Sequence, residues 1–196
     1  MSRWRYSIVH TSEERLPLAI YETCMESVLR ISMGPVYDIR QRNGVRRGIR
    51  AMYVNVLAGL HQCEEGTVYI CEHDVLYPDG YFDWRAGKGE ITYAKYALFL
   101  LPDGWALRNT YALSSCAGDR DALIAAIEAK LVEHCKRGKV ARVEPAPTGY
   151  RDDGCQTVDI RHGQNYTGER NAECFPDHEY WGNAAEWWRK LKGEGQ

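Results

Sequence analysis

The sequence lacks a hydrophobic run of the length that a membrane-spanning helix needs, which is about 20 apolar residues. Its first ten residues are polar and do not contain the apolar core of a secretory signal. It also lacks a large excess of either charge, since the net charge is −2 and the pI is about 6.3. No global basic surface therefore indicates nucleic acid, although a local basic patch stays open. We expect a soluble, cytoplasmic protein with no membrane partner.

Several catalytic and metal-binding signatures are missing as well. The chain has no P-loop, no H-E-x-x-H motif and no G-x-G-x-x-G fingerprint, and Ser114 is not part of a G-x-S-x-G motif. The seven cysteines include no C-x-x-C pair, and the spacing of Cys and His fits no zinc site. Free thiols in a reducing compartment are the expectation. Because repeats, low-complexity tracts and linkers are also absent, we predict one domain that spans residues 1–196.

Strand and helix patterns alternate along the first part of the chain. Thr11 and Glu14 fit a capping box and predict that the first helix begins there. Strand, helix, strand, helix and strand in succession predict an α/β fold with a mostly parallel central sheet flanked by helices. The predicted elements are a strand at 5–10, a helix up to Gly34, a strand at 36–39, a helix at 49–60 and a strand at 67–71.

The second half of the chain has a different pattern. Two Tyr-, Leu- and Ala-rich stretches flank a Pro-Asp-Gly turn signal at 102–104 and predict a hairpin or mixed-sheet region. Residues 172–196 are rich in aromatic side chains, and we expect a C-terminal tail that packs on the body of the domain. The other predicted elements are a helix that begins after Asp119 and short strands at 140–143 and 157–160.

One stretch combines a buried strand with a polar end. Residues 68–78 read V-Y-I-C-E-H-D-V-L-Y-P, in which Glu72, His73 and Asp74 follow the apolar strand directly. In open α/β sheets the carboxyl ends of the strands form the edge at which ligands bind. Carboxylate oxygens there can hold a hard divalent cation, which can in turn hold a diphosphate. The alternative interpretation is a strand that ends in an ordinary solvated acidic turn.

Asp74 and His162 are the pair of residues that we consider most closely. Both follow predicted strands and precede irregular segments marked by glycine or proline. One carboxylate and one imidazole suffice for a divalent cation whose other ligands are phosphate oxygens and water, and the imidazole favours Mn²⁺ over Mg²⁺. The alternative for His162 is a loop histidine that hydrogen-bonds to its neighbours.

Other candidate groups carry weaker signals. Arg42, Arg46 and Arg47 precede a predicted helix and could bind a diphosphate through forked hydrogen bonds, or form a solvated helix start. Asp119 is a candidate catalytic base, with a helix cap as the alternative. Several aromatic side chains could stack on a sugar or a base, with core packing as the alternative. These are Tyr77, Tyr81, Phe82, Trp84, Trp181, Trp187 and Trp188.

Three of these segments together resemble a known family. R-Y-S-I-V-H-T-S near the N-terminus, V-Y-I-C-E-H-D-V-L-Y-P and L-S-S-C-A-G-D-R-D-A-L are similar to nucleotide-sugar glycosyltransferases of the GT-A fold, in particular the family-two-like members. In that family the strand carries a D-x-D-type motif that holds a divalent metal and the donor's diphosphate. Here Glu72 replaces the first Asp of that motif, which leaves Asp74 as the direct metal ligand. The later D-I-R-H-G-Q-N-Y-T-G resembles the segment with a third metal ligand, a role that falls to His162.

The resemblance implies a single Rossmann-like GT-A domain that transfers a sugar from a nucleoside diphosphate sugar, with UDP as the first expectation, to an acceptor hydroxyl. It implies Mn²⁺ or Mg²⁺ as the cofactor. It also extends to phage-encoded enzymes that modify hydroxymethylated bases in DNA, which would act in the host cytoplasm; a saccharide or small-molecule acceptor is the alternative. The donor-binding candidates are Thr11, Ser12, Glu13, Asp38, Arg42, Arg46, Arg47, Glu72 and His73.

Two points stay open from the sequence. The E-D base motif of inverting members has no match, so the stereochemistry of transfer is not predicted. A nucleotide-sugar-binding or interaction domain without transfer activity, and a nucleotidyltransferase, are the alternative functions, because a metal, a diphosphate and arginines serve these as well.

Overall fold

The computed structural model describes residues 4–11, 16–40, 48–108, 111–138, 144–151, 156–162 and 173–193. The helices are α1 (Leu18–Ile31), α2 (Ile49–Leu60), α3 (Arg120–Arg137) and α4 (Ala184–Leu191). The strands of the first half are β1 (Trp4–Thr11), β2 (Val36–Arg40), β3 (Gly66–Glu72), β4 (Val75–Leu76), β5 (Ile91–Ala94) and β6 (Ala97–Leu101). Those that follow are β7 (Gly104–Arg108), β8 (Cys116–Asp119), β9 (Gly149–Arg151), β10 (Thr157–Ile160), β11 (Asp177–His178) and β12 (Gly182–Asn183).

The described part of the chain forms two main sheets and a short two-stranded one, β11-β12. The larger has the order β2-β1-β3-β8-β5-β9, and β1 is parallel to both of its neighbours whereas β8 is antiparallel to both of its own. The smaller has the order β4-β10-β6-β7. The α/β class predicted from the sequence is confirmed. The larger sheet is mixed: β2, β1 and β3 are mutually parallel, β5 and β9 are parallel to each other, and β8 between β3 and β5 is antiparallel to both.

The larger sheet is covered on both faces, because successive side chains of a strand point to opposite faces. Val68 and Ile70 of β3 pack in the cluster that contains α2 and α3, whereas Tyr69 and Cys71 pack in the cluster that contains Val28 of α1. All four of these β3 side chains are fully buried. An almost continuous apolar strand is what burial on both faces requires.

The predicted start of the first helix is wrong. Thr11 is the last residue of β1, and α1 begins at Leu18, directly after Pro17. Proline disfavours the helical conformation in the residue before it, here Leu16, and its own fixed φ suits the beginning of a helix. Pro17 has a φ of −55°. The proline therefore determines where the helix starts, and Thr11 does not cap it.

The second half forms the predicted hairpin. β6 and β7 pair antiparallel across the turn at 102–104, and Gly104 closes that turn with a φ of +145°. The strand predicted at 157–160 is β10, which lies parallel to β6. The strand predicted at 140–143 lies outside the described residues.

The C-terminal segment packs on the smaller sheet. Phe175 forms a two-way backbone bridge with Trp105 of β7. The indole N–H groups of Trp181, Trp187 and Trp188 donate to the backbone carbonyls of Gln156, Trp181 and Leu101 respectively. All three indoles also pack against the core cluster that contains Leu98, Leu100 and Trp105.

Candidate functional site

The polar end of β3 lies at the junction of the two sheets. Glu72 is the last residue of β3 in the larger sheet, and Val75 is the first residue of β4 in the smaller one. His73 and Asp74 form the turn between them. The chain thus passes from the larger sheet to the smaller one between Glu72 and Val75, and the polar residues His73 and Asp74 lie at this boundary.

Asp74 and His162 come together at this junction. β10 pairs antiparallel with β4, so that His162, two residues after β10, reaches the turn that carries Asp74. Nε2 of His162 lies 3.4 Å from Oδ2 of Asp74, and the two side chains are only 10% and 13% exposed. A backbone hydrogen bond from Ile160 N–H to the Asp74 carbonyl, at 2.9 Å, fixes the two segments relative to each other.

The imidazole of His162 is buried without a hydrogen bond of good geometry to either ring nitrogen within the described residues. Buried polar atoms nearly always have a partner, so an imidazole in this state needs a physical explanation. Two ligands of one octahedral ion at about 2.1 Å lie about 3 Å apart. The 3.4 Å separation from Asp74 is close to that value, and the pair therefore fits a shared divalent cation.

The donor set also fits such an ion. A carboxylate oxygen suits hard divalent cations, and an imidazole nitrogen shifts the preference towards Mn²⁺. Among the residues that the structure describes, no group of three or more His, Cys, Asp or Glu side chains is arranged to hold a metal ion. A cation at Asp74 and His162 would therefore take its remaining ligands from a bound phosphate and from water.

Sequence reasoning did not single out the charged groups next to this pair. Asp159 of β10 is buried, and its Oδ2 accepts a hydrogen bond from Arg108 at 2.8 Å and lies 3.6 Å from Nη2 of Arg161. Burial raises the pKa of Asp159, and so does the neighbouring Asp74 carboxylate, whereas Arg161 and Arg108 lower that pKa. The available signal was an Asp inside an apolar strand, two residues before an Arg.

The side chain of Tyr77 connects the turn to the core through hydrogen bonds. Its hydroxyl accepts a hydrogen bond from the Glu72 N–H at 3.0 Å and donates one to the Ser114 carbonyl at 3.0 Å. Tyr77 is fully buried, and its own N–H donates to Oγ of Ser27 in α1. The turn that carries His73 and Asp74 is thus tied to the core, and His73 is itself buried.

The carboxyl ends of the parallel strands align at the same edge. Thr11 pairs with Arg40, and His10 pairs with Glu72. The donor-binding candidates Ser12 and Glu13 and the arginines Arg42, Arg46 and Arg47 lie outside the described residues. The chain enters both of these segments at the edge where β3 ends, because Thr11 and Arg40 are the last residues of β1 and β2.

Two other candidates lie away from the pair. Asp38 is on the edge strand β2, two strands from β3, and accepts a hydrogen bond from the Tyr21 hydroxyl at 2.8 Å. Asp119 pairs with Thr67 at the amino end of β3, five positions before Glu72 and roughly 17 Å along the strand. Its Oδ2 accepts a hydrogen bond from the Gly89 N–H at 3.1 Å. The structure does not bring Asp119 to Asp74 and His162, so we leave it out of the site.

Comparisons with known proteins add no family assignment. No protein-family model matches the chain, and no curated protein matches it. Within the described part of the chain, no helix is both long and apolar enough to cross a membrane.

Proposed function

We propose that this protein is a metal-dependent glycosyltransferase with a GT-A-like domain, which transfers a sugar from a nucleoside diphosphate sugar to an acceptor hydroxyl. The observation that carries the proposal is the buried pair of Asp74 and His162, 3.4 Å apart at the junction of the two sheets. The pair comes from the two segments whose sequences resemble the metal-binding segments of that family. The same resemblance makes a UDP-sugar the first donor to test.

Asp74 and His162 would hold Mn²⁺ or Mg²⁺, which when bound neutralises charge on the diphosphate leaving group. The backbone that carries Asp74 is held in place, since the Asp74 carbonyl accepts from the Ile160 N–H and the Glu72 N–H donates to the Tyr77 hydroxyl. The proposed role of Asp74 and His162 is therefore to orient the diphosphate relative to the sugar's reacting carbon.

The arginine segment at 41–47 would make the remaining contacts to the diphosphate. Arg42, Arg46 and Arg47 follow β2, whose last residue pairs with Thr11 at the carboxyl edge of the sheet. Guanidinium groups bind phosphate oxygens through paired, charge-assisted hydrogen bonds. The acceptor is any hydroxyl compound; with a net charge of −2, a saccharide or small molecule is favoured over a hydroxymethylated base in DNA.

A thermal-stability panel tests this function directly. UDP-, GDP-, CMP- and TDP-sugars are each added with and without Mn²⁺, because a ligand that binds only the folded state raises its stability by mass action. At one hundred times its Kd such a ligand contributes about 2.7 kcal/mol, roughly 5–10 °C in Tm for a chain of this size. We expect one nucleotide to give a shift that requires the metal.

Matched variants locate the effect. Asp74→Asn and His162→Gln should abolish the metal-dependent part of the shift. Asp79→Asn, which removes an exposed carboxylate paired with Arg30, and His61→Gln, which changes an exposed imidazole, should leave it intact. Release of free nucleoside diphosphate from the stabilising sugar then distinguishes transfer or hydrolysis from binding alone. A shift that persists without metal, or in Asp74→Asn, would contradict the proposed site, and binding with no turnover would indicate a binding domain.

A further inference from the structure

Asp159, Arg108 and Arg161 form a cluster of charged side chains next to the candidate metal pair. Asp159 in β10 is opposite Phe99 of β6, so the two side chains share one face of the smaller sheet. Its carboxylate is 9% exposed and accepts a hydrogen bond from Arg108 at 2.8 Å, with Nη2 of Arg161 at 3.6 Å. A buried carboxylate between two arginines is expensive to desolvate, and its presence in an apolar strand calls for a specific role.

The aromatic ring of Phe99 completes the cluster. The guanidinium carbon of Arg161 lies 4.1 Å from the centre of the Phe99 ring, and that of Arg108 lies 5.2 Å from it. Arg108 belongs to β7, Phe99 to β6 and Asp159 to β10, so that the cluster connects three neighbouring strands. Arg161 is therefore held by a carboxylate, a ring and its own backbone N–H, which donates to the Leu100 carbonyl at 3.0 Å.

Arg161 is the residue directly before His162. The backbone that carries the His162 imidazole is thus fixed on one side by the Arg161 side chain. Two residues before His162, the Ile160 N–H donates to the Asp74 carbonyl at 2.9 Å. The His162 N–H donates to the Ile160 carbonyl at 3.2 Å, whereas its ring nitrogens make no hydrogen bond within the described residues. The side chain of Arg161 is consequently well placed to determine where the imidazole lies relative to Asp74.

We propose that Asp159 and Arg161 are positioning residues that, together with Arg108 and Phe99, hold His162 at the distance from Asp74 that a divalent cation requires. This inference rests on the proposed function, because it assigns a role within the same metal site. Groups that orient metal ligands without touching the metal commonly change its affinity by 10- to 100-fold.

The variant Arg161→Met distinguishes a positioning role of Arg161 from a purely electrostatic effect of its charge on Mn²⁺ binding. A cationic side chain near a bound cation is repelled by it, so removal of the Arg161 charge would strengthen Mn²⁺ binding if charge alone mattered. Positioning predicts the opposite. We expect Mn²⁺ affinity, measured by electron paramagnetic resonance of free Mn²⁺ with and without UDP, to fall about tenfold or more in Arg161→Met and in Asp159→Asn. Equal or tighter Mn²⁺ binding by Arg161→Met would overturn the inference.

Arg161→Lys provides a second test if the methionine variant does not fold. It keeps the charge but loses the forked geometry and the stacking on Phe99, so positioning again predicts weaker Mn²⁺ binding whereas electrostatics predicts no change. Arg30→Met is the matched control, because Arg30 is exposed and pairs with Asp79. Unchanged affinity in Arg161→Lys would count against the inference.

The possible failures can be told apart. If the wild-type chain binds no Mn²⁺ with or without UDP, the proposed function and this inference fall together. If the wild type binds Mn²⁺ and Asp74→Asn does not, but Asp159→Asn and Arg161→Lys bind like the wild type, only the positioning role is overturned. A further readout is the NMR spectrum of the metal-free protein, in which the ring resonances of His162 are assigned by comparison with His162→Gln. These resonances should shift in Asp159→Asn and stay unchanged in Arg30→Met.

Discussion

The hydroxyl of Tyr77 joins Glu72 to Ser114: it accepts a hydrogen bond from the Glu72 N–H and donates one to the Ser114 carbonyl, both at 3.0 Å. Tyr77→Phe removes both hydrogen bonds and leaves a buried carbonyl and N–H without that partner. We expect a loss of about 1–3 kcal/mol in the free energy of unfolding, measured with urea, and weaker Mn²⁺ binding because the turn that carries Asp74 loses its support.

Tyr81→Phe is the matched control for this prediction. Tyr81 is as completely buried as Tyr77, but its hydroxyl makes a longer contact of 3.4 Å with the same Ser114 carbonyl and is not bonded to Glu72. Its removal should cost less stability and leave the affinity for Mn²⁺ unchanged. Equal effects of the two substitutions on Mn²⁺ affinity would contradict the assigned role of Tyr77.

Asp119→Asn tests whether Asp119 acts as a catalytic base. Loss of a general base typically lowers the rate by 10²- to 10⁴-fold. Because Asp119 pairs with Thr67 at the amino end of β3, we expect turnover of the donor found in the stability panel to change by less than about twofold, well short of such a loss. The Asn oxygen can still accept from the Gly89 N–H, so folding should be preserved. A large loss of turnover in the folded variant would return Asp119 to the site.

His178 makes the protein less stable in acid. Its Nδ1 accepts hydrogen bonds from the Tyr180 and Trp181 N–H groups, both at 3.2 Å, and its Nε2 lies 3.0 Å from Oε1 of Gln156. Protonation of Nδ1 would break both backbone bonds. Burial lowers the pKa of His178, against a smaller opposing effect of Glu179. The unfolded chain therefore binds the proton more readily, and the stability that neutral His178 contributes is lost as the pH falls below about 6.5.

The measurement is the change in unfolding free energy between pH 7.5 and pH 5. The wild type should lose stability over this interval, and His178→Gln should lose less, although it is less stable than the wild type at pH 7.5. His61→Gln, at an exposed position, should show the wild-type pH dependence. If His178→Gln and the wild type have the same slope, the neutral imidazole is not what makes the C-terminal segment sensitive to acid.

Gly59 allows α2 to approach β1 closely. A methyl group at this position would lie 2.5 Å from Cγ2 of Ile8, which is fully buried. Replacement of glycine by alanine in a helix usually stabilises it by up to about 1 kcal/mol. Here we expect the opposite sign, a loss of about 1–3 kcal/mol, because the added methyl group overpacks the core.

A double-mutant cycle with Ile8→Ala checks this explanation. If the clash with Ile8 is the cause, Gly59→Ala should cost much less in the Ile8→Ala background than in the wild type. Additive effects of the two substitutions on the urea midpoint would show that Gly59 is required for another reason.

The helices and strands predicted from the sequence agree best with the structure where the prediction depends on residues that are close together in the chain. The apolar run of β3, the helix at 49–60 and the hairpin around 102–104 follow from hydrophobic periodicity and turn chemistry, which act between residues close in the chain. The start of α1 was mispredicted because two local signals competed. The steric effect of Pro17 on Leu16 outweighed the capping pattern of Thr11.

The sequence by itself determined that a polar turn follows a buried strand and that His162 follows another strand. Only the tertiary structure decided that these meet, because the contact depends on the antiparallel pairing of β4 with β10 across a long separation in the chain. The same holds for Asp119, whose distance from the pair is a consequence of the antiparallel direction of β8 beside β3. The role inferred for Asp159 depends on the packing of three strands around Phe99. Strand direction and register are long-range properties, and no local pattern of residues specifies them.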